Sequence, residues 1–465
     1  MKTFKYIFLL FCLIATVACF EDETTLDTTI ISEISIDTTK IQKVYNIDYN
    51  DTLTISIADK VSETQEQLPL KYCWEVNYKV YSESETLQFV GSKLGSHPAR
   101  IKVSNEHGSC FYQFIINVKT AYETGIAILS ETNEGVPMFS FMRELSDKDV
   151  TEGKRRKFVN NCLAASNPDI VFPSNPTDCS VYENNLYISF SDAPAIYKFN
   201  SKLLSLEGIE ENPNDPDFIP TEIKHVTEFP SPGVVLTTGG KAYQFGQQQG
   251  VTIPHPSLFS TYSKAMVYAA GYSLATILWD NKDNAIVNFD GYSVSTTNDP
   301  YYYIDFNEHE FITFFQKDAN NFITLTKKNG KIMKTTLPYS WYNFSPEMPT
   351  IIEGDTDFNT HTPHVTSPKQ GCLYYALGNK IYQWFFATQA FPTKPWKILN
   401  EIPNTEVTAL SISEDEEQLY VGVNDNSKNE LSGSFYLLNS DTGKNEGDSP
   451  YLNIAHKPVR IMYKK

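Results

Sequence analysis

Apolar residues fall into many short runs with period-two spacing and into few with helical spacing, so strands dominate the reading. Between residues 30 and 120, runs at 31–36, 53–57, 72–76, 99–103 and 111–118 alternate apolar and polar positions, with turn residues between them. Such alternation puts one face of each strand in a core and the other in water, which predicts a small antiparallel β-sandwich. Trp74 is its expected central aromatic, and Val76 shares its face because strand side chains repeat every two residues.

After Lys119 the pattern becomes a recurring unit of strand, tight polar turn, second strand and longer loop. Seven such pairs occur: 125–129 with 138–142, 186–190 with 195–199, 234–237 with 241–245, 274–279 with 285–289, 311–315 with 322–325, 372–375 with 380–384, and 419–423 with 434–438. Over residues 125–465 each unit averages about 49 residues, close to the length of a propeller blade. Radial stacking of four-stranded blades buries both faces of each sheet, so this half is expected to be a seven-bladed β-propeller. Residues 407–423 resemble the strand–turn–strand signature of many blades, with Ser413 and Asp415 in the turn before Leu419, Tyr420 and Val421. The terminal run 458–463 is a lone strand that would complete the first blade and close the ring, leaving no sheet edge exposed. The expected fold class is therefore all-β, a sandwich followed by a propeller.

The start of the chain carries an address. Lys2 and Lys5 precede an apolar run over 7–17, too short for the roughly 20 residues of a spanning helix, and this reads as a secretory signal. Ala15, Thr16, Val17, Ala18 and Cys19 resemble a bacterial lipobox, in which cleavage precedes a cysteine that becomes acylated; Thr16 stands where the motif usually has Leu. Glu21, Asp22 and Glu23 are similar to the acidic signal that sends Bacteroidetes lipoproteins to the outer face of the outer membrane. Several acyl chains on Cys19 anchor stably, at about 0.8 kcal/mol per buried methylene. The expected divisions are 1–18 signal peptide, 19–29 acylated acidic tether, 30–120 sandwich and 121–465 propeller, with the membrane reached through the lipid anchor alone.

Composition narrows the function. A 41% hydrophobic and 13% aromatic chain can fill a large interior, which excludes general disorder. A formal charge of −18, with Lys154 to Lys157 the one dense basic run, argues against a nucleic-acid partner. Removal of Cys12 and acylation of Cys19 would leave Cys73, Cys110, Cys162, Cys179 and Cys372, so at least one is unpaired. Cys73 and Cys110 sit on two strands of the sandwich, and Cys162 and Cys179 bracket one loop. Each pair is a candidate disulfide in an exported protein, with buried free thiols as the alternative.

Candidate chemistry is sparse. The segment from Glu353 to His364 is rich in oxygen and imidazole ligands of the kind calcium takes, but it lacks the Gly and bidentate Glu of an EF-hand loop and reads as a solvated inter-blade loop. Residues 210–217 form a second acidic loop, which two prolines favour as a rigid turn. With no Gly-x-Ser-x-Gly elbow, no His-Glu-x-x-His helix and no Cys-x-x-Cys pair, the expectation is a protein without catalytic residues, resident metal or cofactor. Tyr301, Tyr302, Tyr303, Trp341 and Tyr342 lie near expected loops and are the candidate aromatic platform for a sugar or peptide.

The junction from Ala121 to Glu131 closely resembles the Tyr-Glu-x-Gly-x-x-x-Leu-Ser-Glu hinge of the PKD-like family of Bacteroidetes lipoproteins, and Tyr72, Cys73, Trp74 and Glu75 resemble the Tyr-x-Trp strand of PKD domains. The resemblance implies a PKD or immunoglobulin-like domain ahead of a propeller-like region, on a surface lipoprotein associated with SusC- and SusD-like importer pairs. It further implies an accessory that binds an oligosaccharide or peptide nutrient, docks on the importer, or both. A surface hydrolase at the propeller mouth and an adhesin or assembly scaffold are the alternatives.

Overall fold

The computed structural model describes residues 31–48, 51–65, 67–120, 122–145, 147–151, 153–225, 233–246, 250–251, 260–270, 273–289, 294–298, 303–340, 343–354 and 356–465. The chain divides after Thr120 into two compact units.

The first unit is a two-layered β-structure. One layer is a five-stranded sheet in the order Val44–Asp48, Ser109–Lys119, Gly95–Ser104, Lys71–Val76, Lys79–Ser82. Thr52–Ser56 pairs with Thr86–Val90 and Ile34–Ile36 with Val61–Glu63 in two further small sheets. The alternation read from the sequence sets the faces: Trp74 and Val76 point inward with Ile101, Val103, Phe114 and Ile116, and meet Ile55, Leu87 and Phe89 in one core. Trp74 is fully buried, and its indole N–H donates to the Ser84 carbonyl at 2.9 Å. Trp74→Phe is expected to cost the first unit about 1–3 kcal/mol, because it removes that donor and part of the ring from a closed core. Chemical denaturation followed by circular dichroism checks this. The sandwich is not wholly antiparallel as expected, since Val44–Asp48 runs parallel to Ser109–Lys119. Two strands so far apart in the chain can pair parallel because a long excursion joins them.

The thiols of this unit correct one expectation. Cys73 lies opposite Lys102, and Cys110 lies opposite Val103, on the two sides of Gly95–Ser104. Two inter-strand spacings, roughly 9–10 Å, separate their backbones, beyond the roughly 7 Å that a disulfide can bridge. Both are free and half-buried. The second expected pair is also unformed: Cys162 and Cys179 are free thiols within one apolar cluster of the propeller, and the Cys162 thiol donates to the Val159 carbonyl. Burial pushes the Cys162 thiol up to about 11 and raises that of Cys179, so both stay protonated and unreactive. A thiol-specific reagent is therefore expected to label Cys73 and Cys110 in the native chain, and Cys162, Cys179 and Cys372 only after unfolding. Protection of the first pair against alkylation under non-reducing conditions would show a bridge.

The second unit contains, among the described residues, seven sheets of four or five strands laid along the chain. In six of them the strands follow chain order from the inside outward, as in Pro176–Tyr182, Asn185–Phe190, Ala195–Asn200 and Leu206–Glu211. In the remaining sheet, which we take as blade 1, the innermost strand is the C-terminal Lys457–Lys464, paired antiparallel with Gly125–Glu131. The innermost strands of blades 1 to 7 are thus Lys457–Lys464, Pro176–Tyr182, Pro220–Lys224, Tyr262–Ala270, Glu310–Asp318, His364–Ser367 and Thr405–Ile412. Each touches the next and the seventh touches the first, so the sheets close into a ring, a β-propeller. Apolar clusters lie between neighbouring sheets, such as Ala127, Phe141, Leu186 and Phe190 between blades 1 and 2. The closing role expected of 458–463 is what the structure has.

The second strands are buried on both faces, which is why their runs are continuously apolar rather than alternating; all six residues of Asn185–Phe190 are buried. In the seventh blade the turn expected at 413–416 joins Thr405–Ile412 to Gln418–Asp425, and the Ser413 hydroxyl accepts from the Gln418 N–H at 2.9 Å.

Candidate functional site

Six of the seven innermost strands carry a β-bulge near their beginning. The unopposed residues are Val459, Thr177, Thr221, Ser263 with Lys264, Ile312 and Thr408. A bulge kinks the strand and re-aims the side chains beside it. Blades 1, 2 and 3 build theirs from one pattern, proline, bulged residue, charged residue: Pro458, Val459, Arg460; Pro176, Thr177, Asp178; Pro220, Thr221, Glu222. Proline is tolerated there because a strand start beside a bulge needs no ladder N–H from it.

The charged residues after the bulges tie neighbouring blades together. Asp178 Oδ2 accepts from the Ile223 N–H at 3.1 Å and from Lys224 Nζ at 2.9 Å, both on blade 3, while Oδ1 faces Arg460 Nε of blade 1 at 3.4 Å. Burial works to raise the Asp178 pKa, but Lys224, Arg460 and the Ile223 N–H outweigh it and hold the carboxyl below its usual value. The arrangement repeats one blade on: Glu222 Oε2 accepts from the Ala265 N–H at 3.3 Å, and Oε1 lies 3.8 Å from Lys264 Nζ, both on blade 4. Blades 5 and 6 use a neutral version, in which the Thr313 hydroxyl meets His364 Nε2 at 3.0 Å. His364 Nδ1 donates to the Thr362 carbonyl at 2.7 Å, so Nε2 is the acceptor for Thr313. Burial, with repulsion from Lys264, brings the His364 imidazole down to about 4, and it is neutral at physiological pH.

Arg460 and Lys264 sit on innermost strands yet keep 48% and 31% of their side-chain surface in contact with solvent. Exposure on the innermost strands of a closed ring places these groups along its central channel. Asp178, flanked by Lys224 and Arg460, is 6% exposed. Both nitrogens of His364 are engaged, and Asp178 and Glu222 each face a cation of a neighbouring blade.

The sequence-level candidates fall elsewhere. Cys19, Tyr301, Tyr302, Trp341 and Tyr342 lie outside the described residues; Tyr303 is described and 59% exposed. Among the described residues no group of three or more His, Cys, Asp or Glu is arranged to hold a metal. His364 of the oxygen- and imidazole-rich segment belongs to the blade 6 strand. In the acidic loop, Asp215 accepts from Lys241 Nζ at 2.6 Å and from the Tyr243 hydroxyl, which makes it a brace of blade 3. The channel residues were not among the sequence candidates; Arg460, Asp178 and Glu222 share the proline–x–charge triplet, which also occurs elsewhere in the chain. Independently of the propeller, the outer face of the five-stranded sheet in the first unit holds an open groove of about 540 Å³, lined by Val44, Tyr78, Pro98, Arg100 and Ile115. There Arg100 pairs with Glu75 at 2.6 Å and its guanidinium lies 5.1 Å from the centre of the Phe111 ring.

No family model matches the sequence, and no curated protein matches it. Solved structures of similar fold include a quinoprotein alcohol dehydrogenase-like protein of Bacteroides thetaiotaomicron, 15% identical over 94% of this chain and 100% of that one, with a TM-score of 0.48. The extracellular domain of a one-component system from the same organism is 10% identical over 75% of this chain and 46% of that one, with a TM-score of 0.41. The Swd1 β-propeller domain of Myceliophteria thermophila is 9% identical over 60% of this chain and 88% of that one, with a TM-score of 0.39. The closed ring of sheets, and none of these likenesses, makes the second unit a propeller.

Proposed function

We propose that the protein is a lipid-anchored, non-enzymatic accessory of the PKD-like lipoprotein family on the outer face of the outer membrane. Its propeller captures an oligosaccharide or peptide nutrient, and the protein serves a SusC- and SusD-type importer. The observation that carries the binding half is the propeller channel, where Arg460, Glu222 and Lys264 of blades 1, 3 and 4 keep part of their side-chain surface in water while contacts with neighbouring blades fix their positions. A preorganised concave site of this kind binds without having to be assembled first. The lipobox at Cys19 and the acidic residues after it support the location, and the junction motif supports the family.

Arrays of glycans and peptides probed with the mature chain test the binding half, with each hit then incubated and analysed for turnover. Binding without turnover is the expected result. Turnover abolished by Glu222→Gln would make the protein a hydrolase, and silence on both arrays would overturn nutrient capture.

A further inference from the structure

We propose that the channel segment formed by blades 1 to 4 binds a carboxylate group of the ligand, held between the Arg460 guanidinium and the Lys264 ammonium. The inference rests on the reading of the protein as a nutrient-binding accessory and adds the chemical class of what it takes.

The charges in this segment do not cancel. Arg460, Lys224 and Lys264 face two carboxylates, Asp178 and Glu222, and the excess is positive inside a chain whose formal charge is −18. The hydrogen bonds show where it resides. Asp178 is saturated: Oδ1 accepts from the Cys179 N–H at 2.9 Å and faces Arg460 Nε, and Oδ2 takes the Ile223 N–H and Lys224 Nζ. Arg460 is engaged through Nε alone, so among the described residues its two terminal nitrogens have no acceptor. Lys264 has Glu222 at 3.8 Å, longer than a hydrogen bond, and among the described residues has no closer acceptor. Both groups are open to the channel, whereas Lys224 is spent on Asp178.

Cations partly withdrawn from water without full hydrogen bonding are costly to keep and are retained where an anion completes them. Burial already pulls the Lys264 ammonium below the usual lysine value, against the opposing effect of Glu222, and a second carboxylate beside it would reverse that. The planar fork left open on Arg460 matches a carboxylate edge with two parallel N–H donors. A uronic acid in an oligosaccharide and an acidic side chain in a peptide both offer that edge, and one channel site would read either.

Calorimetry on the full mature chain tests this with four probes: an oligogalacturonate, a neutral oligoglucan of equal length, tri-glutamate and tri-glutamine. The expected result is that one acidic probe binds while its neutral counterpart does not, that affinity falls with salt, and that Arg460→Gln and Lys264→Gln each weaken binding about tenfold or more. The sugar and peptide arms decide the source of the carboxylate. Arg460→Lys keeps the charge and loses the fork, and is expected to bind at intermediate strength; circular dichroism establishes that each variant is folded. Acid binding indifferent to both substitutions, or no binding of either acidic probe, would overturn the inference. A neutral ligand captured on the arrays with affinity unchanged in both variants would overturn it while leaving nutrient capture standing, and an array without any ligand would overturn both.

Discussion

Deleting residues 457–465 is expected to abolish the cooperative unfolding transition of the propeller rather than shift it. This segment is the innermost strand of blade 1, paired along the length of Gly125–Glu131, and it buries Ile461 against Ile126, Ile128 and Tyr420. Without it, Gly125–Glu131 becomes an open inner edge with unpaired backbone groups, and blades 7 and 2 lose the element between them. Lys464 would also vanish; its buried ammonium donates to the Glu123 carbonyl at 2.9 Å. Thermal melts by circular dichroism, paired with size-exclusion chromatography, are expected to show a broad, low-temperature loss of structure and association through the freed edge. Ile461→Ala is the graded version, expected to cost about 2–5 kcal/mol as a core truncation. A deletion variant that melts sharply at the wild-type temperature would mean that the ring does not depend on its closing strand.

Asp178→Asn is the second large effect, expected at about 3–5 kcal/mol near neutral pH. Breaking one member of a buried ion-pair network leaves the remaining charges uncompensated. Lys224 would lose its hydrogen-bonded partner and Arg460 its counter-ion in one substitution, and the staple joining blades 1, 2 and 3 would go with them. The pH dependence separates this from a packing defect. His225 and His364 are both lowered to about 4 by burial. Between about pH 6.5 and 4 the unfolded chain takes up protons that the folded chain refuses, and stability falls as the pH drops. Asp178 acts lower: its folded pKa lies below the unfolded value of about 3.9, so its contribution is whole above that pH and is lost as pH falls through the folded value. Denaturation midpoints measured across this range are expected to retain the upper limb and lose the lower one in Asp178→Asn. Identical profiles for the two proteins would remove Asp178 from the account.

The blades were readable because their second strands are buried on both faces and spell nearly continuous apolar runs, as at Asn185–Phe190 and Gln418–Asp425. Some innermost strands were harder to read, being short or polar: Pro220–Lys224 holds two charges in five residues, and His364–Ser367 is four residues long. The fifth unit is offset from the others: its pair at 311–315 and 322–325 is the first and second strand of the blade, where the other six pairs are the second and third. Glu310–Asp318 is the innermost strand whose middle, Phe311–Phe315, is apolar at four of five positions and fully buried, so it reads like a second strand. Outermost strands such as Lys397–Ile398 are too short to leave a pattern. The channel site stayed hidden for a different reason. Proline followed two residues later by a charge comes 44 residues apart at Pro176 and Pro220 and again at Pro458, but the same spacing also occurs outside the channel, at Pro69, Pro98, Pro213, Pro392 and Pro395, so it does not single out the site.

The most direct measurement of the central claim is a pull-down of the tagged, full-length protein from native outer membranes in mild detergent, with mass spectrometry of what accompanies it. A lipid-modified Cys19 peptide and a stoichiometric SusC- and SusD-type pair are expected, and the substrate of that pair would then identify the ligand. Recovery of the protein without such a pair, or with an unmodified Cys19, would contradict that claim.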